Sequence, residues 1–148
     1  MHFTVTTRAT PDQVLRALTD MSPRRLQTWS RTLDPATYEV RAQGDTWAMV
    51  RESSPGSPFW VVPRYDWSDP TTVRWTLEET SWGGGGDGAV RIAPAPAGGS
   101  TVTAEWTYTG MTRRSHRLFI ALLQRPPLRS LLARGWRTAF DRFAVQDS

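Results

Sequence analysis

The chain has 148 residues, with 18 arginines and no lysine against 14 acidic residues, a formal net charge of +4, two histidines and no cysteine. That length lies in the usual span of about 100–150 residues for one domain, so residues 1–148 are read as a single domain able to bury a core without staples. The missing cysteines exclude thiol catalysis, disulfides and cysteine-ligated zinc, no stretch approaches the roughly 20 apolar residues of a bilayer span, and residues 2–13 lack the basic-then-apolar order of a secretory leader, so a cytoplasmic protein is expected.

Taken in chain order, residues 2–9 predict a strand, with Phe3, Val5 and Thr7 sharing one face. Thr10-Pro11-Asp12-Gln13 then starts a helix, because Thr10 can cap, Pro11 suits the first helical position and Gln13 completes a capping box. Val14, Leu15, Leu18 and Met21 follow at helical spacing. Ser22-Pro23 repeats the start signal and predicts a second short helix with apolar contacts at Leu26, Trp29 and Leu33.

From Tyr38 to Tyr108 the period changes to two. Strands are predicted at 38–41, 46–53, 59–67, 71–80, 89–93 and 100–109, separated by turn-rich segments. Pro63 favours an edge or a bulge. The run Gly83–Gly88 reads as a flexible connection and not as a phosphate loop, since no Lys-Ser/Thr and no helix follow it. In the last strand Val102, Ala104, Trp106 and Tyr108 share a face.

A short helix is predicted within 111–124, ended by Pro126-Pro127, and a longer one over about 127–145. Leu128, Leu131, Leu132, Gly135, Trp136, Ala139, Phe140 and Phe143 form its apolar stripe, with Arg129, Arg134, Arg137 and Arg142 mostly outside it. Gly135 marks either a close contact with the sheet or space for a ligand, the former being the favoured reading. One-sided strands followed by a terminal amphipathic helix point to α+β packing, and away from a parallel βαβ fold.

The order of elements, Thr10-Pro11-Asp12-Gln13-Val14 at the first helix entry, and Leu128-Arg129-Ser130-Leu131-Leu132-Ala133-Arg134 at the last, together resemble the START-like, polyketide cyclase/dehydrase or SRPBCC superfamily over residues 2–145. The resemblance implies a helix-grip fold: a curved antiparallel sheet wrapped around a long C-terminal helix, with a hydrophobic cavity between them. It does not imply one chemistry, because lipid carriers, hormone-binding proteins, aromatases and cyclases share the fold.

Eight tryptophans are the most unusual feature of the composition. An indole serves core filling and the binding of flat or greasy ligands equally well. Trp75 and Trp106, each in an alternating apolar series, and Trp136 on the last helix are the cavity candidates. Tyr65 and Tyr108 share strand parity with tryptophans and are the candidate polar anchors. His116 lies in the basic segment Arg113-Arg114-Ser115-His116-Arg117; it is the first catalytic candidate, with Tyr108 as proton donor, if the protein is an enzyme. Arg113 and Arg117 could meet an acidic group of a ligand at an entrance. Glu52 could pair with Arg51 or Arg64. No His-x-x-His or His-Glu-x-x-His arrangement is present, so no metal site is expected, and no cofactor is implied.

Two functions follow: binding or transport of a hydrophobic small molecule or lipid, or cyclase, aromatase or dehydratase chemistry on an aromatic or polyketide-like substrate. Residues 111–148 carry eight arginines against Asp141 and Asp147, which suits transient contact with an anionic membrane surface. Nucleic-acid binding is disfavoured, because zinc-finger spacing and paired RNA-stacking aromatics are both missing. The sequence leaves the oligomeric state open.

Overall fold

The computed structural model of the protein describes residues 1–147. Strand β1 (His2–Thr7) alternates strictly, burying Phe3, Val5 and Thr7. Helix α1 (Pro11–Thr19) opens on the predicted capping box: the Gln13 backbone N–H donates to Thr10 Oγ1 at 3.2 Å, and the Thr10 N–H donates to Gln13 Oε1 at 2.9 Å. Helix α2 (Arg24–Thr28) follows the Ser22-Pro23 bend and leads into buried Trp29 and Leu33.

Six further strands form a meander: β2 (Glu39–Gln43), β3 (Trp47–Arg51), β4 (Val61–Asp66), β5 (Thr72–Thr80), β6 (Gly85–Pro94) and β7 (Ser100–Thr109). All pairings are antiparallel, and the spatial order is β1-β7-β6-β5-β4-β3-β2. Successive strands joined by short connections lie side by side. β1, separated from β2 by two helices, instead pairs with β7. Pro63 sits at a register shift between β4 and β5, which satisfies the rule that a proline inside a sheet needs a bulge.

The glycine run departs from its predicted role. Only its first residues turn, with Gly83 at φ +80°, while β6 starts at Gly85 and pairs Gly86 with Tyr108 and Gly88 with Trp106. Gly88 stands abreast of Trp75 on one side and Trp106 on the other, and a Cβ there would overlap the Trp75 indole. The bare backbone gives two large rings room to lean across one sheet face, a packing cause that alternation of apolar and polar residues does not reveal.

Helices α3 (Arg114–Leu123) and α4 (Pro126–Gln146) end the chain, broken as expected at Pro126-Pro127. In α4 only Ala139, Phe140, Phe143 and Ala144 are buried, all in its C-terminal half. That half is also clamped by polar contacts. Thr7 Oγ1 donates to Asp141 Oδ1 at 2.5 Å, the Arg8 backbone N–H donates to the same oxygen at 3.0 Å, and Arg16 meets Asp147 at 2.6 Å.

Two expectations for α4 are corrected. Leu131 is 60% exposed, because it belongs to the helix row that continues through Gly135, Thr138 and Arg142; the inward row is Leu128, Leu132, Trp136 and Phe140. Gly135 is half-buried beside a small gap that it shares with residues 28–32, and nothing stands within 4 Å of where its Cβ would be. Close packing therefore does not explain this glycine.

Gly135→Ala should raise stability by about 0.5–1 kcal/mol, the helix-propensity gain with no steric cost. Phe140→Ala, at a fully buried ring, should lower it by about 3–5 kcal/mol. Urea denaturation midpoints of the two variants should move in opposite directions.

Candidate functional site

The sheet and α4 meet firmly at one end and part at the other. Between them lies a cavity of about 550 Å³. Its walls come from the inward sheet face (Val73, Trp75, Leu77, Val90, Trp106 and Tyr108), from α4 (Leu128, Leu132 and Trp136), from α3 (Phe119, Ile120 and Leu123) and from Trp29 after α2. Trp136 is the hinge between packed and open halves. It stacks on Trp106 at 5.9 Å with planes 18° apart, and it meets Phe3 and Trp29 edge-on, each at 5.2 Å. The Trp29 indole N–H donates to the Ala17 carbonyl at 2.9 Å, so this ring is held by α1 and not by a ligand.

One part of the wall is ionic. Ala48, Val50 and Glu52 step by two along the inward side of β3, which brings the Glu52 carboxylate inside. Arg25 of α2, only 5% exposed, donates from Nη2 to Glu52 Oε2 at 3.3 Å and from Nη1 to the Leu18 carbonyl at 2.8 Å. The Tyr65 hydroxyl donates to the other carboxylate oxygen at 2.5 Å, and the guanidinium lies over the Tyr65 ring at 5.5 Å. Arg25 Nε is the one buried side-chain polar atom without a hydrogen-bond partner among the described residues.

Burial, the largest single influence, would lower the Arg25 pKa; the Glu52 charge and hydrogen bond, together with Tyr65 and Tyr38, more than offset it, and the arginine is held still more firmly protonated. Burial, reinforced by Glu52, pushes the Tyr65 hydroxyl well above the ordinary tyrosine value of 10.0. Tyr38 and Tyr108 are also raised, again chiefly by burial. The two charges cancel, so the cluster offers hydrogen-bonding groups without a net demand for a charged ligand.

No protein-family profile matches this chain, and no curated protein sequence matches it. Solved structures do match throughout its length. TTHA0849 from Thermus thermophilus superposes with a TM-score of 0.76 at 17% identity, covering 100% of this chain and 98% of its own. The ZhuI aromatase/cyclase from Streptomyces sp. R1128 gives 0.69 at 16% identity, covering 96% and 93%. Norcoclaurine synthase from Thalictrum flavum gives 0.68 at 12% identity, covering 98% and 85%. The chain shares the helix-grip fold of these structures.

The helix-grip cavity takes in five of the residues singled out from sequence: Trp75, Trp106, Trp136, Tyr65 and Tyr108 all line it. It does not take in three others. His116 packs edge-on against Phe59 at 4.7 Å and is not part of the lining. Arg113 and Arg117 are exposed and also stand outside it. For the arginines the reason is helical phase: the inward stripe of α3 is His116, Phe119, Ile120 and Leu123, and its outer side falls to the arginines. His116 is on that stripe but packs against Phe59, which lines the cavity in its place. Glu52 pairs with neither Arg51 nor Arg64, since Arg51 meets Glu39 and Arg64 lies over the Trp47 ring.

Arg25 is the site residue that sequence reading missed, because Arg24-Arg25 opens a short helix and reads as a solvated pair. The available signal was Glu52, whose parity with Ala48 and Val50 requires a buried partner.

Glu52→Ala should cost about 3–5 kcal/mol, since it leaves the Arg25 charge buried and unpaired. Adding Arg25→Met to Glu52→Gln should recover stability relative to Glu52→Gln alone, as read by urea unfolding. The tyrosines give a pH test. A folded pKa raised above 10.0 means that this stabilisation is complete below pH 10, where folded and unfolded states are both protonated, and is lost as pH rises towards the folded value. Tyrosinate absorbance should therefore stay low at pH 10 and rise together with unfolding; half-titration of native protein at that pH would contradict the burial.

Proposed function

We propose that the cavity binds a hydrophobic small molecule or lipid with a small, neutral polar head. The observation that carries this reading is a cavity of about 550 Å³ lined mainly by apolar and aromatic side chains, with its one charged cluster neutral overall. Such a lining favours burial of an apolar body and uses few polar groups to orient it. Trp75, Trp106 and Trp136 supply the contact area, and Tyr65 and Tyr108 the anchors. Tyr65 commits its proton to Glu52, leaving its oxygen to accept from a ligand hydroxyl.

A second reading is cyclase, aromatase or dehydratase chemistry, favoured by the presence of Glu52 and Tyr108 among the lining residues and by similarity of fold to ZhuI. In this reading Tyr108 remains the proton-transferring candidate. His116 would reach a substrate only after α3 shifted.

Titration with N-phenyl-1-naphthylamine, a neutral apolar fluorophore, separates a real cavity from a filled core. The expected outcome is saturable binding of one probe per chain, weakened about tenfold or more, some 1.4 kcal/mol, in Leu132→Trp, which fills the space. Equal binding by the filled variant, or none by the native chain, would overturn the reading. Glu52→Gln should keep probe binding under both readings and would abolish turnover only under the second.

A further inference from the structure

We infer that the corner where α3 meets α4 is a docking surface for an anionic lipid bilayer. The inference rests on the outside of this corner and not on the occupancy of the cavity. Every residue from 121 to 131 is exposed, although the stretch includes four leucines and two prolines. Leu118 and Leu122, four apart on the outer side of α3, are 62% and 41% exposed, and Leu131 on α4 is 60% exposed. No residue of α3 is buried. Scattered surface leucines are ordinary, but a run of them on one projecting corner marks an interaction site.

Charge selects the partner. Arg113, Arg114, Arg117, Arg125, Arg129 and Arg134 are all exposed, and no acidic residue occurs between Glu105 and Asp141. Among the described residues none of these six arginines forms an ion pair. Leucines interleaved with unpaired arginines fit an interface that is apolar just below a layer of negative charge, which is the arrangement of an anionic bilayer. A nucleic-acid backbone would use the arginines and leave the leucines in water. The corner is also a wall of the cavity, through Phe119, Ile120, Leu123 and Leu128 on its inner side. Docking would place the least anchored part of that wall against the lipid.

The test is cosedimentation with vesicles of phosphatidylcholine alone and of phosphatidylcholine mixed with phosphatidylglycerol. Binding is expected to the mixed vesicles and to be weaker by about tenfold or more on the neutral ones, and to weaken as salt is raised. Leu118→Ser with Leu122→Ser should reduce binding to mixed vesicles by about tenfold, as expected for lost apolar insertion, with an unchanged urea midpoint because both side chains are exposed. Failure to bind the mixed vesicles would overturn the proposal. So would binding indifferent to the leucines, or equal leucine-independent affinity for duplex DNA, since either outcome would leave charge attraction alone. The same leucine variant should bind N-phenyl-1-naphthylamine as the native chain does, so loss of docking and loss of the cavity are separately visible.

Discussion

The aromatic contact between α4 and the sheet sets the geometry on which the rest of the structure depends. Phe140 is fully buried and meets Trp29 at 5.4 Å, and one helical turn earlier Trp136 stacks on Trp106. Towards the C-terminus from Phe140 the helix packs as core, with Ala139, Phe143 and Ala144 buried and Asp141 and Asp147 pinned to β1 and α1. Towards the N-terminus from Trp136 the inward side chains border open space. A helix fixed at one end of a curved sheet leaves a wedge at the other, and the wedge is the cavity. Edge-on and stacked rings suit this role, because they join large surfaces at defined separations while adding modest attraction beyond area burial.

The second constraint is electrostatic. A charge pair as buried as Arg25–Glu52 gains little net stability over an apolar replacement, but removing one partner is expensive. Its value here is positional. Arg25 ties α2 to the β3 end and, through the Leu18 carbonyl, to α1, while Glu52 holds the Tyr65 hydroxyl. Four elements, α1, α2, the β3 end and β4, thus share one polar junction on the cavity wall. Because the junction is internally neutral, it can be kept in a largely apolar site without attracting an ion, and this neutrality is what the proposal of a ligand with an uncharged head rests on.

The sequence made the succession of elements legible because each rests on a local cause. Thr10-Pro11-Asp12-Gln13 caps α1, period-two alternation marks β5 and β7, and Pro126-Pro127 separates the two last helices. Strand parity also brought Trp75, Trp106, Tyr65 and Tyr108 to one face. The missed features depend on partners distant in sequence. Gly85–Gly88 belongs to a strand because two tryptophans on flanking strands use the space. Arg25 is buried because Glu52, 27 residues later, faces inward. Leu131 is apolar yet exposed, since stripe counting cannot distinguish the inner row of α4 from its neighbour. The two arginines proposed for a cavity entrance stand outside the lining for the same reason: helical phase relative to the sheet is a tertiary property.

The packed end of α4 gives stability, the open end gives a cavity, and the exposed α3–α4 corner covers that open end. Among the described residues no helix is long and apolar enough to cross a membrane. The most direct measurement of the cavity's role follows the eight tryptophan indole N–H signals in a ¹H–¹⁵N spectrum during titration with N-phenyl-1-naphthylamine. Signals from the lining indoles Trp75, Trp106 and Trp136 should shift together and saturate, while those of Trp47 and Trp60, outside the lining, stay in place. Shifts confined to Trp47 and Trp60, or no saturable shift in the lining set, would contradict a ligand-accepting cavity between sheet and helix.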